Sequence, residues 1–139
     1  MSKFIIPKKV SKKKIINFFK NKGLLELINS SKAQKKTVNQ MVMSNPYPPD
    51  LLDLYNLYQF IILNKRTTIM EFGSGWSSII FLFALNELKI KYFKKIKNIR
   101  RNNPFELFIL ENEKKFYNLT KKRNKTFKKK FKITSKENY

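Results

Sequence analysis

The feature that most constrains this chain is the run from Thr67 to Leu88. Thr67-Thr68-Ile69-Met70-Glu71-Phe72 is rich in β-branched and apolar residues and predicts a strand. Gly73-Ser74-Gly75 stops it. Ser77 to Leu88 follows, with Ile79 to Leu85 continuously apolar and Ser77 and Ser78 as cap candidates. That length predicts a helix buried over most of its circumference, so other elements must enclose it. Lys89 to Pro104 is a basic insertion. Beyond it, Phe105 to Leu110 reads as a second strand ending at Glu111, and Lys114 to about Lys125 as a polar helix with Phe116, Tyr117 and Leu119 inward. Phe131-Lys132-Ile133-Thr134 has the makings of a third strand. Strand, Gly-x-Gly turn, helix, strand and acid in that order form a βαβ unit, which makes the fold class α/β with about three parallel strands.

Upstream, residues 1–45 are Lys-rich with two apolar clusters, Ile15/Ile16/Phe18/Phe19 and Leu24/Leu25/Leu27/Ile28, separated by Gly23. They read as a basic N-terminal extension of one or two short amphipathic helices, packed on the domain rather than on a membrane. Residues 46–139 then form the main unit. The prolines of Asn45-Pro46-Tyr47-Pro48-Pro49 break the chain, and Asp50 is placed to cap a helix from Leu51 to about Leu63. Leu51, Leu54, Leu57, Tyr58 and Ile61 give that helix one buried face.

Composition narrows the chemistry. The chain has no Cys and no His, which removes disulfides, Cys/His zinc sites, thiol nucleophiles and Ser-His-Asp triads. The longest apolar run falls far below the ~20 residues of a membrane span, and the N-terminal apolar stretches are too short for a signal peptide, so a cytoplasmic protein is expected. Against 9 acids stand 31 basic residues, giving a net charge of +22. Two readings apply: a field that attracts phosphate, or a compositional bias of an AT-rich coding sequence, since only Arg66, Arg100, Arg101 and Arg123 are not Lys.

The βαβ unit carries the functional signal. Gly73 and Gly75 are expected to allow positive φ and to let a ligand approach the backbone. The helix opening at Ser77 offers unpaired N–H groups at its positive end. Glu111, closing the second strand, can accept from both ribose hydroxyls, and Glu71 brings a second carboxylate toward the same crevice, which suits an amino group and repels a pyrophosphate. A dinucleotide fingerprint would need Gly where Ser78 stands.

The stretch Glu71-Phe72-Gly73-Ser74-Gly75-Trp76-Ser77 resembles the first motif of class I S-adenosylmethionine-dependent methyltransferases, and Phe108-Ile109-Leu110-Glu111-Asn112-Glu113 resembles their second. The resemblance covers roughly residues 47 to 134. It implies a partial doubly wound, Rossmann-like sheet, with S-adenosyl-L-methionine held by Glu71, Gly73, Ser74, Gly75, Trp76, Ser77 and Glu111. It implies no catalytic residue and leaves the methyl acceptor unknown. The helix from Asp50 to Leu63 fits the element with which the family covers its site.

The family's sheet has seven strands, with strand one between strands two and four, whereas this chain supplies about three. A truncated methyltransferase-like domain of little activity alone is therefore expected, its first strand left with an open edge unless a partner chain completes the sheet. The alternative function is a basic, non-enzymatic module that binds nucleic acid, with the Lys114–Lys130 region as its surface.

Overall fold

A computed structural model of the chain describes residues 3–32, 47–96 and 104–139. The described elements, in order, are α1 (Lys12–Asn21), α2 (Leu25–Lys32), α3 (Leu51–Leu63), β1 (Thr68–Phe72), α4 (Trp76–Tyr92), β2 (Glu106–Leu110), α5 (Lys114–Phe131) and β3 (Lys136–Asn138). Asn45, Pro46 and residues 97–103 of the expected basic insertion, Arg100 and Arg101 among them, lie outside the described residues.

The helices start where local chemistry dictates. Asp50 caps α3 by accepting from the Leu52 N–H at 2.8 Å and the Asp53 N–H at 3.1 Å. Ser11 does the same for α1 through the Lys14 N–H. Gly23, at φ 74°, turns the chain between α1 and α2 in a conformation costly for other residues. Three boundaries differ from expectation. Helix α4 begins one residue before Ser77, with Gly75 as its cap, and runs four residues past Leu88. Helix α5 continues from the expected end near Lys125 to Phe131, because Phe127 and Phe131 keep an apolar face toward the core; Lys132 then ends it in the left-handed conformation. The third strand consequently forms at Lys136–Asn138 and not at Phe131–Thr134.

All three strands are parallel, in the order β1-β2-β3. The register aligns Met70 with Phe108, Phe72 with Leu110 and Phe108 with Asn138. Helix α4 lies against β1 and β2 and is flanked by α3 and α5. Its Ile79, Ile80, Leu82, Ala84, Leu85 and Leu88 are at most 2% exposed, which fulfils the expectation of burial on most sides. Helices α1 and α2 contribute Ile15, Phe19, Leu24, Leu27 and Ile28 to the same core. Lys22, after α1, is tied in further: its ammonium pairs with Glu87 of α4, which also accepts from the Tyr58 hydroxyl of α3. Among the described residues no helix is long and apolar enough to cross a membrane.

The sheet is not covered on both faces by the described helices, as a doubly wound sheet would be. Glu71, Leu107 and Ile109 face the core, whereas Met70, Phe72 and Leu110 are 59%, 81% and 50% exposed. Among the described residues, no strand pairs with the second edge of β1.

Urea unfolding tests this polarity of the sheet. Leu107→Ala, which empties a fully buried site, is expected to cost about 2–5 kcal/mol. Phe72→Ser on the open face is expected to change stability by less than about 0.5 kcal/mol. A large loss with Phe72→Ser would mean that this face is covered in solution.

Candidate functional site

The site lies at the carboxyl ends of β1 and β2, where the chain leaves β1 through Gly73-Ser74-Gly75 and enters α4. Parallel pairing makes this convergence unavoidable: Glu71 is opposite Ile109 and Phe72 opposite Leu110, so the segments after both strands emerge side by side. The Gly73 N–H donates to the Leu110 carbonyl at 2.8 Å and extends the ladder one residue into the turn. Gly73 has φ 82°, the left-handed region expected of it. Gly75 does not: its φ is −175°, an extended conformation that requires no glycine. What the two share is open space, since a Cβ built on either meets no atom within 4 Å.

The two carboxylates are held by the serines between them. Glu111 accepts from the Ser74 hydroxyl at 2.6 Å and from the Glu113 N–H at 3.0 Å. Burial opposes its ionisation, but the Ser74 hydroxyl together with the backbone N–H groups of Glu113, Ser74 and Asn112 outweighs that effect and holds the carboxyl below its usual range. Glu71 is 9% exposed and accepts from the hydroxyls of Ser77 and Ser78, one on each oxygen. Here burial dominates and pushes the pKa up; the two serines oppose it, and the charge of Glu111 adds to the rise. The parallel register and the serines of one turn place both carboxylates at the same end of the sheet. The Ser78 hydroxyl also accepts from the Gly75 N–H at 3.4 Å, so Glu71 and Ser78 together tie the end of β1 to the start of α4.

Two cavities flank the turn. A cleft of about 480 Å³ runs between it and the start of α3, bounded by Pro48, Asp50, Asp53, Ser74, Gly75, Trp76, Ser77 and Phe116. A second, of about 510 Å³, lies beside Gly73 and Glu111 and is walled by Asn112, Tyr117 and Tyr139, whose rings meet edge to face at 5.3 Å. Both volumes fall in the range that holds small organic ligands. Among the described residues their linings contain three acids (Asp50, Asp53 and Glu111) and no Lys or Arg, in a chain with more than three basic residues for every acid. Two cations lie against rings of the linings: Arg123 stacks on Trp76 at 4.0 Å, and Lys121 sits over Tyr117 and Tyr139 and donates to the Tyr117 hydroxyl at 3.1 Å. A larger groove of about 840 Å³, between residues 6–10 and the outer side of α3, meets the cleft only at Asp53 and Leu57.

The seven residues expected at the site lie around one turn but not in one pocket. Ser74, Gly75, Trp76 and Ser77 line the cleft, and Gly73 and Glu111 the second cavity. Glu71 lines neither, being turned under the first turn of α4. Sequence reasoning missed Asp53, Tyr117 and Tyr139 as cavity residues; Asp53 three positions after a proline-rich break was the one signal that could have indicated an acid facing the turn.

Two stability measurements check this geometry. Gly73→Ala is expected to cost about 1–2 kcal/mol from its left-handed backbone, and Gly75→Ala much less. Because the folded chain holds the Glu71 proton more tightly than the unfolded chain, the Glu71 contribution to stability is greatest below the ordinary carboxyl pKa and falls as pH rises through the raised value, whereas the lowered Glu111 contributes in the opposite sense. Glu71→Gln is expected to flatten that decline in urea titrations run across the acidic range. Identical pH profiles for the parent and Glu71→Gln would mean that Glu71 is well solvated.

No protein family, curated protein or solved structure matches the chain, so what the site does rests on these residues and their arrangement.

Proposed function

We propose that the turn between β1 and α4 binds S-adenosyl-L-methionine, with a methyl acceptor still to be identified. The observation that carries this reading is the reversal of charge: among the described residues, the charged groups lining both cavities of this strongly basic protein are acids. A cationic, nucleoside-bearing ligand satisfies that field, and a pyrophosphate does not. In this reading Glu111 accepts from the ribose hydroxyls in place of Ser74, and Tyr117 and Tyr139 offer a wall for the adenine ring. The open space at Gly73 and Gly75 lets the ligand pass against the backbone. The first N–H groups of α4 receive the carboxylate, and Asp53 faces the ammonium from α3. Glu71 is a positioning residue: it fixes the helix start and adds negative charge beneath the site.

The chemistry asked of the protein is modest. The sulfonium is already a good leaving group, so aligning an acceptor supplies most of the acceleration. A methyltransferase-like, Rossmann-like assignment for the three-stranded unit is part of the same proposal.

Trp76 is the one tryptophan and lines the cleft, so its fluorescence reports ligand binding, with calorimetry as a second measure. Saturable binding of S-adenosylmethionine is expected, with no comparable response to a nicotinamide dinucleotide. Asp53→Asn is expected to weaken affinity about tenfold through loss of a charge-assisted contact. Gly75→Ala is expected to weaken it while leaving stability nearly unchanged. Affinity is also expected to rise with pH through the raised Glu71 pKa, as that carboxyl ionises beneath a cationic ligand. Absence of heat and of fluorescence change at millimolar ligand would overturn the reading.

A further inference from the structure

The outward face of α5 belongs to neither cavity and has the opposite charge. Nine of its 18 residues are Lys or Arg and none is acidic. Lys121, Lys125 and Lys129 are each four residues apart, so they follow one line along the helix at a rise of about 6 Å per step. All three are exposed, as are Lys122 and Lys130 beside them. Like charges at this spacing destabilise a helix, and an ordinary surface helix interleaves acids to offset them.

The acids are spent elsewhere. Glu137 pairs with Lys128 on the flank of α5, and Glu113 stands at its N-cap. Glu26 acts on Arg123, on the side toward Trp76. Glu87 is taken by Lys22 and Tyr58, while Glu71 and Glu106 are buried. Asp50 and Asp53 belong to α3. The line Lys121–Lys125–Lys129 therefore presents an uncompensated positive edge.

From this we infer that the outward face of α5 docks the phosphate backbone of nucleic acid. Two features choose this occupant over an anionic membrane. The apolar side of α5, with Phe127 and Phe131, is used up in the core, and Leu119, at 38% exposed, offers little to insert among lipids. A lipid-binding helix would keep its apolar face outward. Lysines are also point charges without the planar fork of Arg, so the contact reads phosphate spacing and not base sequence. Binding is therefore sequence-independent and strongly dependent on salt. The inference does not rest on the cofactor reading: of the three lysines in line, Lys121 touches a cavity wall, at Tyr117 and Tyr139, and the binding test is run without cofactor.

The test uses the full chain without cofactor and dye-labelled single-stranded oligonucleotides of mixed sequence, followed by fluorescence anisotropy between 50 and 300 mM salt. Binding that weakens linearly in a log–log plot is expected. The triple variant K121Q/K125Q/K129Q is expected to reduce the magnitude of that slope by about 2, at ~0.7 per phosphate contact on a single strand, and to weaken affinity at least tenfold near 100 mM salt. Gln keeps the helix propensity of Lys, and circular dichroism confirms the fold. K12Q/K13Q/K14Q on α1 removes the same charge from another exposed face and is expected to leave the slope nearly intact. Three results would overturn the proposal: no binding at the lowest salt, equal loss from both triple variants, or binding to phosphatidylserine vesicles with none to nucleic acid.

Discussion

Everything in this structure answers to the burial of α4. A 17-residue helix with six apolar side chains at or below 2% exposure cannot sit at a surface. It needs a sheet beneath it and helices beside it, and α3, α5, β1 and β2 occupy those positions. At about 25 cal/mol per Å² of apolar surface removed from water, each such side chain contributes on the order of 1.5–3 kcal/mol before entropy is counted. The same burial fixes where the helix begins. Its first turn must emerge at the end of β1, because the Gly73–Gly75 turn is too short to carry it elsewhere. A packing requirement thereby sets the location of the candidate site.

That placement creates an electrostatic problem which the serines resolve. Glu71 sits at the last core-facing position of β1, where desolvation penalises its charge. The hydroxyls of Ser77 and Ser78, carried by the first turn of α4, meet both of its oxygens, and the positive end of the helix faces the same group. The carboxylate in turn holds the helix start to the strand end. Structural anchoring and ligand electrostatics are compatible here, since hydroxyls donating to both oxygens favour the charged form against the burial that raises the Glu71 pKa. Glu111, more open and bonded through Ser74, is the one whose oxygens a ligand can reach by displacing a single hydroxyl.

How far the fold could be read from sequence depended on whether each element carried its own signal. Asp50 and the three-and-four spacing after it gave α3 its observed limits, and the β-branched and apolar runs gave β1 and β2 to within a residue or so. The failures share a cause. In α5, a dense run of Lys hid the contribution of Phe127 and Phe131, so the helix was ended too soon. Strand β3, Lys136-Glu137-Asn138, has no apolar alternation and exists because β2 presents a parallel edge to it. At the site, the identities of the residues were legible but their partners were not. That Gly75 is extended, that Glu71 is capped by two serines, and that Asp53 faces the turn are outcomes of tertiary placement which no spacing rule encodes.

The distribution of charge unites the two ends of the molecule. If codon bias alone had filled the chain with Lys, basic residues would be as common around the glycine turn as anywhere else. Instead the described linings of both cavities hold none, with Lys121 and Arg123 set against their rings, while α5 concentrates Lys on the face turned away from the core. The exclusion has a physical consequence: at 0.15 M ionic strength the Debye length is about 8 Å, so a surface Lys more than that distance away is largely screened from the cavities. Local acids then govern what enters them, despite a net charge of +22. The two regions meet at Lys121, whose ammonium donates to the Tyr117 hydroxyl at 3.1 Å on the wall of the second cavity. One small basic chain can in this way present a cation-accepting pocket and an anion-accepting helix without either cancelling the other.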